Sequence, residues 1–347
     1  MKIAVYMGGW SDERDVSLAS GAQVARALRE AGHEVVAIDP VEGRLDAASE
    51  RHLFESGVRA SPSGPPPDVG AADALGAGPV VRLDPEGGFD VHFLALHGGS
   101  GEDGTIQSIL DLAGVVYTGS DRLGCSIAMD KEVTKRLLRD AGIPTPEWES
   151  YDPRLPGAGP PTVDYIEATL GLPVIVKASG GGSSLRLVLA HDRAELAEVI
   201  DVSREWDDVV LFERYQAGRE FTVGIVGDEI FPVGEIVPEH ELFDYECKYQ
   251  PGKAAEIFPA DIPGELSDRL QALALDVHRV LRLRDFSRID FIVDEGGRAW
   301  CLEANTLPGM TANSLLPKAA AAAGIDFPAL CDRIARLAYA RRTGHST

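Results

Sequence analysis

The sequence predicts an α/β protein whose chain opens as a doubly wound unit. Three observations predict it. Residues 3–38 run as an apolar strand, a Gly-rich turn, a helix and a second strand. A Gly/Ser-rich loop over residues 178–184 lies between two β-runs. A hairpin over residues 289–302, turned at Asp294-Glu295-Gly296-Gly297, carries acidic and amide side chains at its ends.

A chain of 347 residues has room for two or three domains with their own cores. An apolar share of 44% against 25% charged is that of an ordinary globular protein. The net charge of −22 argues against a nucleic-acid partner, because neutralising a phosphate backbone needs a basic face. It leaves room for a local basic pocket that takes a nucleotide. Cys125, Cys247, Cys301 and Cys331 lie far apart with no C-x-x-C pair, which predicts reduced thiols. The apolar run at residues 3–7 is too short for a secretory signal, and no run approaches a membrane span. A cytoplasmic protein with no membrane partner is expected.

In the first unit, residues 3–7 read as a buried strand and Gly8-Gly9-Trp10-Ser11 as a turn. A helix is expected over residues 17–31, with Ser17 as N-cap and Gly32 just past its end. Strand 34–38 follows. The Gly-Gly pair is not a G-x-G-x-x-G fingerprint. The acidic stretch holding Glu13 ends the first strand, where open α/β sheets place ligands; taken alone, it reads as a cap that satisfies the helix dipole. Residues 60–88 turn to Pro, Gly, Ala and Asp, a long surface insertion. Strand 91–96 leads to His97 and a glycine-rich junction at 98–104, then helix 105–113. Strand 115–117 and a helix over 126–141 follow, with a domain boundary near Ser120. Lys131 lies on that helix and, alone, reads as a surface lysine.

Strands 172–177 and 185–189 flank the Gly/Ser loop, with Lys177 at its base. A loop of this kind suits a flap over phosphates, its backbone N–H groups forming a nest beside the lysine charge. It is not a Walker A loop, because no helix follows the glycines. Helix 192–205 leads to a hinge strand at 209–213, then strands 220–226 and 229–237. The long unpatterned segment 243–259, holding Lys248 and Tyr249, reads as an active-site lid. Helix 265–281 precedes the hairpin, and helices 313–323 and 328–340 follow it. The hairpin carries Asp290 on one strand, with Glu303 and Asn305 two apart on the other and so facing one way. Three oxygen-bearing side chains suit Mg²⁺ and leave coordination positions for phosphates. Arg288 beside them is placed to meet charge on a transferring phosphoryl or acyl oxygen.

The ordered motifs GGWSDERDVS, ALHGGSGEDGTIQ, MDK, VIVKASGGGSS, EFTV, FDYECKY, RIDF and LEANTLPGMT resemble those of the D-alanine–D-alanine ligases, in the ATP-grasp superfamily. The resemblance spans nearly the whole chain, the insertion at 60–88 excepted. It implies a three-domain ATP-grasp fold: a Rossmann-like N-terminal domain at 1–119, a central α+β domain at 120–212 and a C-terminal α+β domain at 213–347, with ATP held between the last two. It implies that Glu13 binds the ammonium of the first D-alanine and is linked through Ser183 to the lid residue Tyr249. It assigns Lys131, Lys177 and Lys248 to the ATP phosphates, and Glu213 and Glu220 to adenine and ribose. Asp290, Glu303 and Asn305 would hold two Mg²⁺ ions, or Mn²⁺ in their place. Arg288 and the Gly309 backbone N–H would stabilise the oxyanion, Ser314 would hold the second carboxylate, and His97 would sit beside the substrates.

The implied activity is ATP-dependent synthesis of D-alanyl-D-alanine through a D-alanyl phosphate, for peptidoglycan precursors, by a homodimer. Related ligases with another amino acid or a hydroxy acid as second substrate are the alternative, and a catalytically silent nucleotide-binding module is a more remote one. Tyr249 is the lid residue type associated with the dipeptide product. In one place the sequence departs from the family: Ser183-Ser184 is followed by Leu185-Arg186, where relatives commonly continue with valine and glycine.

Overall fold

The structure is a computed structural model that describes residues 1–11, 13–46, 48–50, 53, 87–157, 159–181, 186–239 and 254–342. Its first sheet is built from β1 (Lys2–Tyr6), β2 (Glu34–Asp39), β3 (Gly43–Arg44) and β4 (Val91–Leu94), in the order β3-β2-β1-β4. β1 is parallel to both β2 and β4 and sits between them. That explains its near-continuous apolar run: a central parallel strand is covered on both faces. Gly8 and Gly9 follow it with φ of 81° and 83°, a backbone that glycine adopts without strain.

Helix α1 (Arg14–Glu30) begins three residues earlier than the serine-cap rule predicts, with Glu13 at its N-cap. Ser17 is not a cap. Its buried hydroxyl accepts from Gly8 N and donates to the Ala95 carbonyl, both at 2.8 Å, and so ties the helix to the turns leaving β1 and β4. α2 (Thr105–Leu112) follows the glycine-rich junction. The strand expected at 115–117 is reduced to a single bridge between His92 and Tyr117.

The helix expected over 126–141 is two helices, α3 (Arg122–Met129) and α4 (Lys131–Asp140). They break at Asp130, whose extended backbone and side chain cap α4 by accepting from the backbone N–H of Glu132 and Val133. The break makes Lys131 the first residue of a helix.

The second sheet is antiparallel, in the order β5-β8-β6-β7, from β5 (Trp148–Tyr151), β6 (Val174–Ala178), β7 (Leu187–Ala190) and β8 (Val210–Arg214). Helices α5 (Val163–Leu170) and α6 (Arg193–Ser203) supply its core through Ile166, Leu170, Leu196 and Ile200. The segment expected as a hinge strand at 209–213 is therefore an interior strand, and Val210 to Phe212 are fully buried within the sheet.

The third sheet is also antiparallel, in the order β12-β11-β9-β13-β14. It comprises β9 (Arg219–Val226), β10 (Glu229–Ile230, paired to β9), β11 (Gly234–Pro238), β12 (Ala254–Ile257), β13 (Phe286–Val293) and β14 (Ala299–Asn305). The strand expected over 229–237 is interrupted, and Gly234 in its second piece lies so close to the Phe258 ring that a Cβ would overlap it at 2.1 Å. α7 (Gly264–Val280) packs Leu270, Ala274 and Val277 on this sheet. Ala128 and Leu138 of α3 and α4 join that same core. α8 (Leu315–Ala322) packs on β9, and α9 (Phe327–Arg342) packs on α8, α1 and β4, so that Leu316, Leu330 and Ile334 share a core with Val24, Leu28 and Phe93. The three sheets are thereby held against one another, and the residues of interest lie where they meet.

Candidate active site

β13 lies between β9 and β14, opposing Asp290 to both Thr222 and Glu303, and Arg288 to both Gly224 and Asn305. Alternation along strands puts Arg288, Asp290, Glu303 and Asn305 on one face. Glu220, opposite Ile292, continues that row. Asp290 is 5% exposed and accepts from Thr222 Oγ1 at 2.7 Å, Arg288 Nε at 3.0 Å and Nη2 at 2.8 Å, and Asn305 Nδ2 at 3.0 Å. Glu303 comes within 3.9 Å of Lys131 Nζ.

Two carboxylates and an amide give only oxygen donors, a set that fits a hard divalent cation. Among the described residues no three His, Cys, Asp or Glu gather as a self-sufficient metal cage. A site this sparse suits an ion whose remaining ligands come from phosphates and water.

Facing this row is the loop that leaves β6. Lys131 Nζ donates to the Gly181 carbonyl at 2.6 Å, and the Lys131 backbone N–H to the Ser179 carbonyl at 3.1 Å. The Ser179 hydroxyl donates to Asp130 Oδ1 at 2.7 Å and accepts from Glu132 N at 2.9 Å. Asp208 holds Gly180 N at 2.9 Å. The start of α4 and the base of the glycine loop are thus one hydrogen-bonded unit. Beneath it, Lys177 Nζ donates to Glu213 Oε1 at 2.9 Å, and Lys135 Nζ lies 2.5 Å from Glu213 Oε2. Burial works to raise the Glu213 carboxyl, but the two ammoniums prevail and hold it below its ordinary range. Burial pushes Lys135 down to about 8, against the pull of Glu213.

At the junction with the first sheet, Glu13 is buried, and a Cβ on Gly98 would sit 2.5 Å from its Oε2. Gly98 N donates to Glu102 Oε2 at 2.7 Å. Burial, and then the charge of Glu13, push the Glu102 carboxyl up to about 8. His97 Nδ1 lies 3.1 Å from the Leu307 carbonyl and Nε2 2.9 Å from Ser20 Oγ. A carbonyl only accepts, so Nδ1 carries the proton and Nε2 accepts from Ser20. Burial depresses the His97 pKa and keeps the ring neutral. Met310 N in turn donates to Ser20 Oγ at 3.3 Å. The loop between Leu307 and Met310, which contains Gly309, is pinned by first-sheet residues. Ser314 Oγ accepts from Thr311 N at 3.1 Å and lies 2.8 Å from where a Gly309 Cβ would be.

The expected residues Glu13, His97, Lys131, Lys177, Glu213, Glu220, Arg288, Asp290, Glu303, Asn305, Gly309 and Ser314 are described, and they fall in these three clusters, Glu220 by its place in the β9 row. Ser183, Lys248, Tyr249 and most of the 60–88 insertion lie outside the described residues. Arg186 is described and half-buried; its carbonyl accepts from Ala178 N at 3.2 Å. Glu102, Lys135, Thr222 and Asp130 were not singled out by role. A buried lysine on a polar helix leaves no signal in periodicity, and Glu102 is one acid among several in a loop.

Two antiparallel sheets facing each other, one offering lysines and a glycine loop and the other a row of acids, define an ATP-grasp fold. Residues 2–120 match the family described as D-ala D-ala ligase N-terminus, and residues 137–336 the D-ala D-ala ligase C-terminus. The D-alanine–D-alanine ligase of Marinomonas sp. (strain MWYL1) is 39% identical over 339 residues, which cover 97% of this chain and 95% of that one. That of Desulforudis audaxviator is 38% identical, covering 98% of this chain and 99% of that one. The crystal structure of the Bacillus anthracis ligase aligns over 100% of both chains with 32% identity and a TM-score of 0.77. Its complex with ATP aligns with 31% identity and a TM-score of 0.75, again over 100% of both chains. The chain belongs to the D-alanine–D-alanine ligase family.

Proposed function

We propose that this chain joins two D-alanines into D-alanyl-D-alanine, the dipeptide of peptidoglycan precursors, with hydrolysis-free transfer of the ATP γ-phosphoryl to the first substrate. The carrying observation is the single face on which Arg288, Asp290, Glu303 and Asn305 converge, opposite Lys131 and the glycine loop. A carboxylate and an amine do not condense in water without activation. The carboxylate oxygen of the first D-alanine attacks the γ-phosphorus and ADP leaves. The amine of the second D-alanine then attacks the acyl phosphate carbonyl, and phosphate leaves from the tetrahedral intermediate.

Each residue has a task in this reading. Glu13 holds the first ammonium, and the Glu13, Ser183 and Tyr249 set links that site to the lid. Lys131, Lys177 and Lys248 take the phosphates, while Glu220 and Glu213 serve the ribose and adenine end. Asp290, Glu303 and Asn305 would hold Mg²⁺, which supplies charge neutralisation across the phosphates. Arg288 and the Gly309 N–H meet the oxyanion. Ser314, beside Gly309, takes the second carboxylate. His97, neutral and bonded at both nitrogens, positions the Gly309 loop from beside the substrates.

The division at 1–119, 120–212 and 213–347 belongs to the same proposal, supported by one sheet in each part; because β8 runs to Arg214, the second boundary falls inside a strand. No described helix is long and apolar enough to cross a membrane. A cytoplasmic location is supported by the demand for ATP and by the buried thiols Cys125, Cys301 and Cys331. A homodimer is supported by the family resemblance, and light scattering on the purified chain measures it.

The deciding experiment is phosphate release from ATP and Mg²⁺ with D-alanine, L-alanine, D-serine and D-lactate in parallel, with the product identified by mass. Release with D-alanine and a dipeptide mass is expected. Release only when a different acceptor is added would overturn the dipeptide reading and retain the ligase.

A further inference from the structure

Lys135 has no part in the function argued above, yet it is among the largest fully buried side chains of the protein. A lysine with no exposed surface is held there by specific partners. Its ammonium donates to Thr145 Oγ1 at 2.8 Å, lies 2.5 Å from Glu213 Oε2 and stands 5.1 Å above the Trp148 ring. Lys177 shares the same carboxylate through the other oxygen, Oε1, at 2.9 Å. Lys177 is different in kind. Its side chain keeps 10% of its surface against 0% for Lys135. Among the described residues Glu213 is its side-chain partner.

The strand register explains the geometry. Ile175 pairs with Glu213 and Lys177 with Leu211, so Lys177 and Glu213 share a sheet face as diagonal neighbours. Lys135 reaches the same carboxylate from α4, the helix whose first residue is Lys131. Two cations on one carboxylate leave a surplus positive charge, which burial penalises unless an anion arrives to use it.

We propose that Lys135 is a positioning residue for ATP: it is the permanent counter-ion of Glu213, and this leaves Lys177 free to exchange from Glu213 to the ATP phosphates. Were Lys177 the sole partner, its departure would strand a buried carboxylate, and the lysine would stay where it is. With Lys135 in place, Glu213 remains compensated whichever way Lys177 turns. The inference rests on the reading of Lys177 as a phosphate ligand.

The test uses the full-length protein and steady-state kinetics with ATP and D-alanine varied separately. Lys135→Met is expected to raise KM for ATP by about tenfold and to leave KM for D-alanine within about twofold. Placed in a Glu213→Gln background, where there is no carboxylate charge to compensate, Lys135→Met is expected to add less than about twofold. An equal effect in both backgrounds, or equal increases in both KM values, overturns the inference. Thr145→Val loosens Lys135 without removing its charge and serves if Lys135→Met does not fold. About a threefold rise in KM for ATP that disappears with Glu213→Gln is expected, and an unchanged KM overturns the inference. Lys177→Met checks the underlying reading separately. No effect of Lys177→Met on KM for ATP defeats that reading and this inference together, whereas a strong effect there beside an inert Lys135→Met defeats this inference alone.

Discussion

His97 of the first sheet's loop donates from Nδ1 to the Leu307 carbonyl at 3.1 Å, joining two residues 210 positions apart in the chain. With Ser20 bridging His97 Nε2 and Met310 N, this bond fixes the loop that offers the Gly309 N–H. Ser20→Ala removes both bridges without touching a substrate. A buried hydrogen bond contributes about 1 kcal/mol, so kcat is expected to fall by roughly fivefold. Steady-state assays showing kcat unchanged would mean that the loop needs no such support.

Gly98→Ala addresses Glu13. The position has φ of 66°, and its Cβ would meet Glu13 Oε2 at 2.5 Å. With ψ of 166° the backbone lies in a region essentially reserved for glycine, where an alanine costs about 1–3 kcal/mol, and the displaced carboxylate would lose its proposed place beside the first ammonium. KM for D-alanine is expected to rise about tenfold or more while KM for ATP holds. Parallel rises in both constants would count against the assignment of Glu13.

Glu303→Ala and Asp290→Ala remove oxygen donors on the face opposite Lys131. Phosphate release is expected to fall by about a thousandfold, a loss typical of charge-stabilising groups. Thermal melting should show Glu303→Ala still folded, since Glu303 is only partly buried. A Glu303→Ala protein that turns over normally at low Mg²⁺ would sink the metal reading.

Glu102 carries a prediction with a definite sign. Its pKa is raised from 4.5 to about 8, by burial first and by Glu13 second. The folded protein binds this proton while the unfolded chain has released it, so the stabilisation is full below about 4.5 and is lost as pH rises through about 8. Glutamine mimics the protonated acid. Glu102→Gln is expected to lose less melting temperature than the parent between pH 7 and 9, measured by calorimetry at fixed ionic strength. Equal losses would show that Glu102 is already ionised at neutral pH.

His278 acts in the opposite direction. Burial, with a smaller push from Arg279, lowers its pKa from 6.5 to about 4. The unfolded chain takes up this proton first on acidification, so the stability is present above about 6.5 and is lost as pH falls through about 4. Urea midpoints are expected to drop over that window in the parent, and to drop less in His278→Gln. A His278→Gln curve parallel to the parent's would place the acid sensitivity elsewhere.

Much of the site was legible in the sequence because it depends on local order. Asp290 and Arg288 are two apart on one strand, and Glu303 and Asn305 two apart on the next. Alternation alone aligns each pair, and the turn at residues 294–297 brings the pairs together. The Gly-Gly turn after β1 and the glycine loop after Lys177 were equally visible, since the backbone freedom of glycine is written into the residue. Ser17 was misread for the converse reason. A serine before an apolar helix looks like a cap, and nothing local reveals that its hydroxyl is needed by Gly8 and Ala95.

What the sequence determined by itself was therefore the strands and turns that carry the acids, the glycine loop, and, through motif order, the family. Only the tertiary structure decided that Asp130 breaks a helix to place Lys131 at its start, that Glu213 lies between two lysines, and that His97 reaches Leu307. The physical reason is sequence distance. Periodicity records which face a residue occupies, while the partner it meets there comes from another element, and burial and charge act between partners.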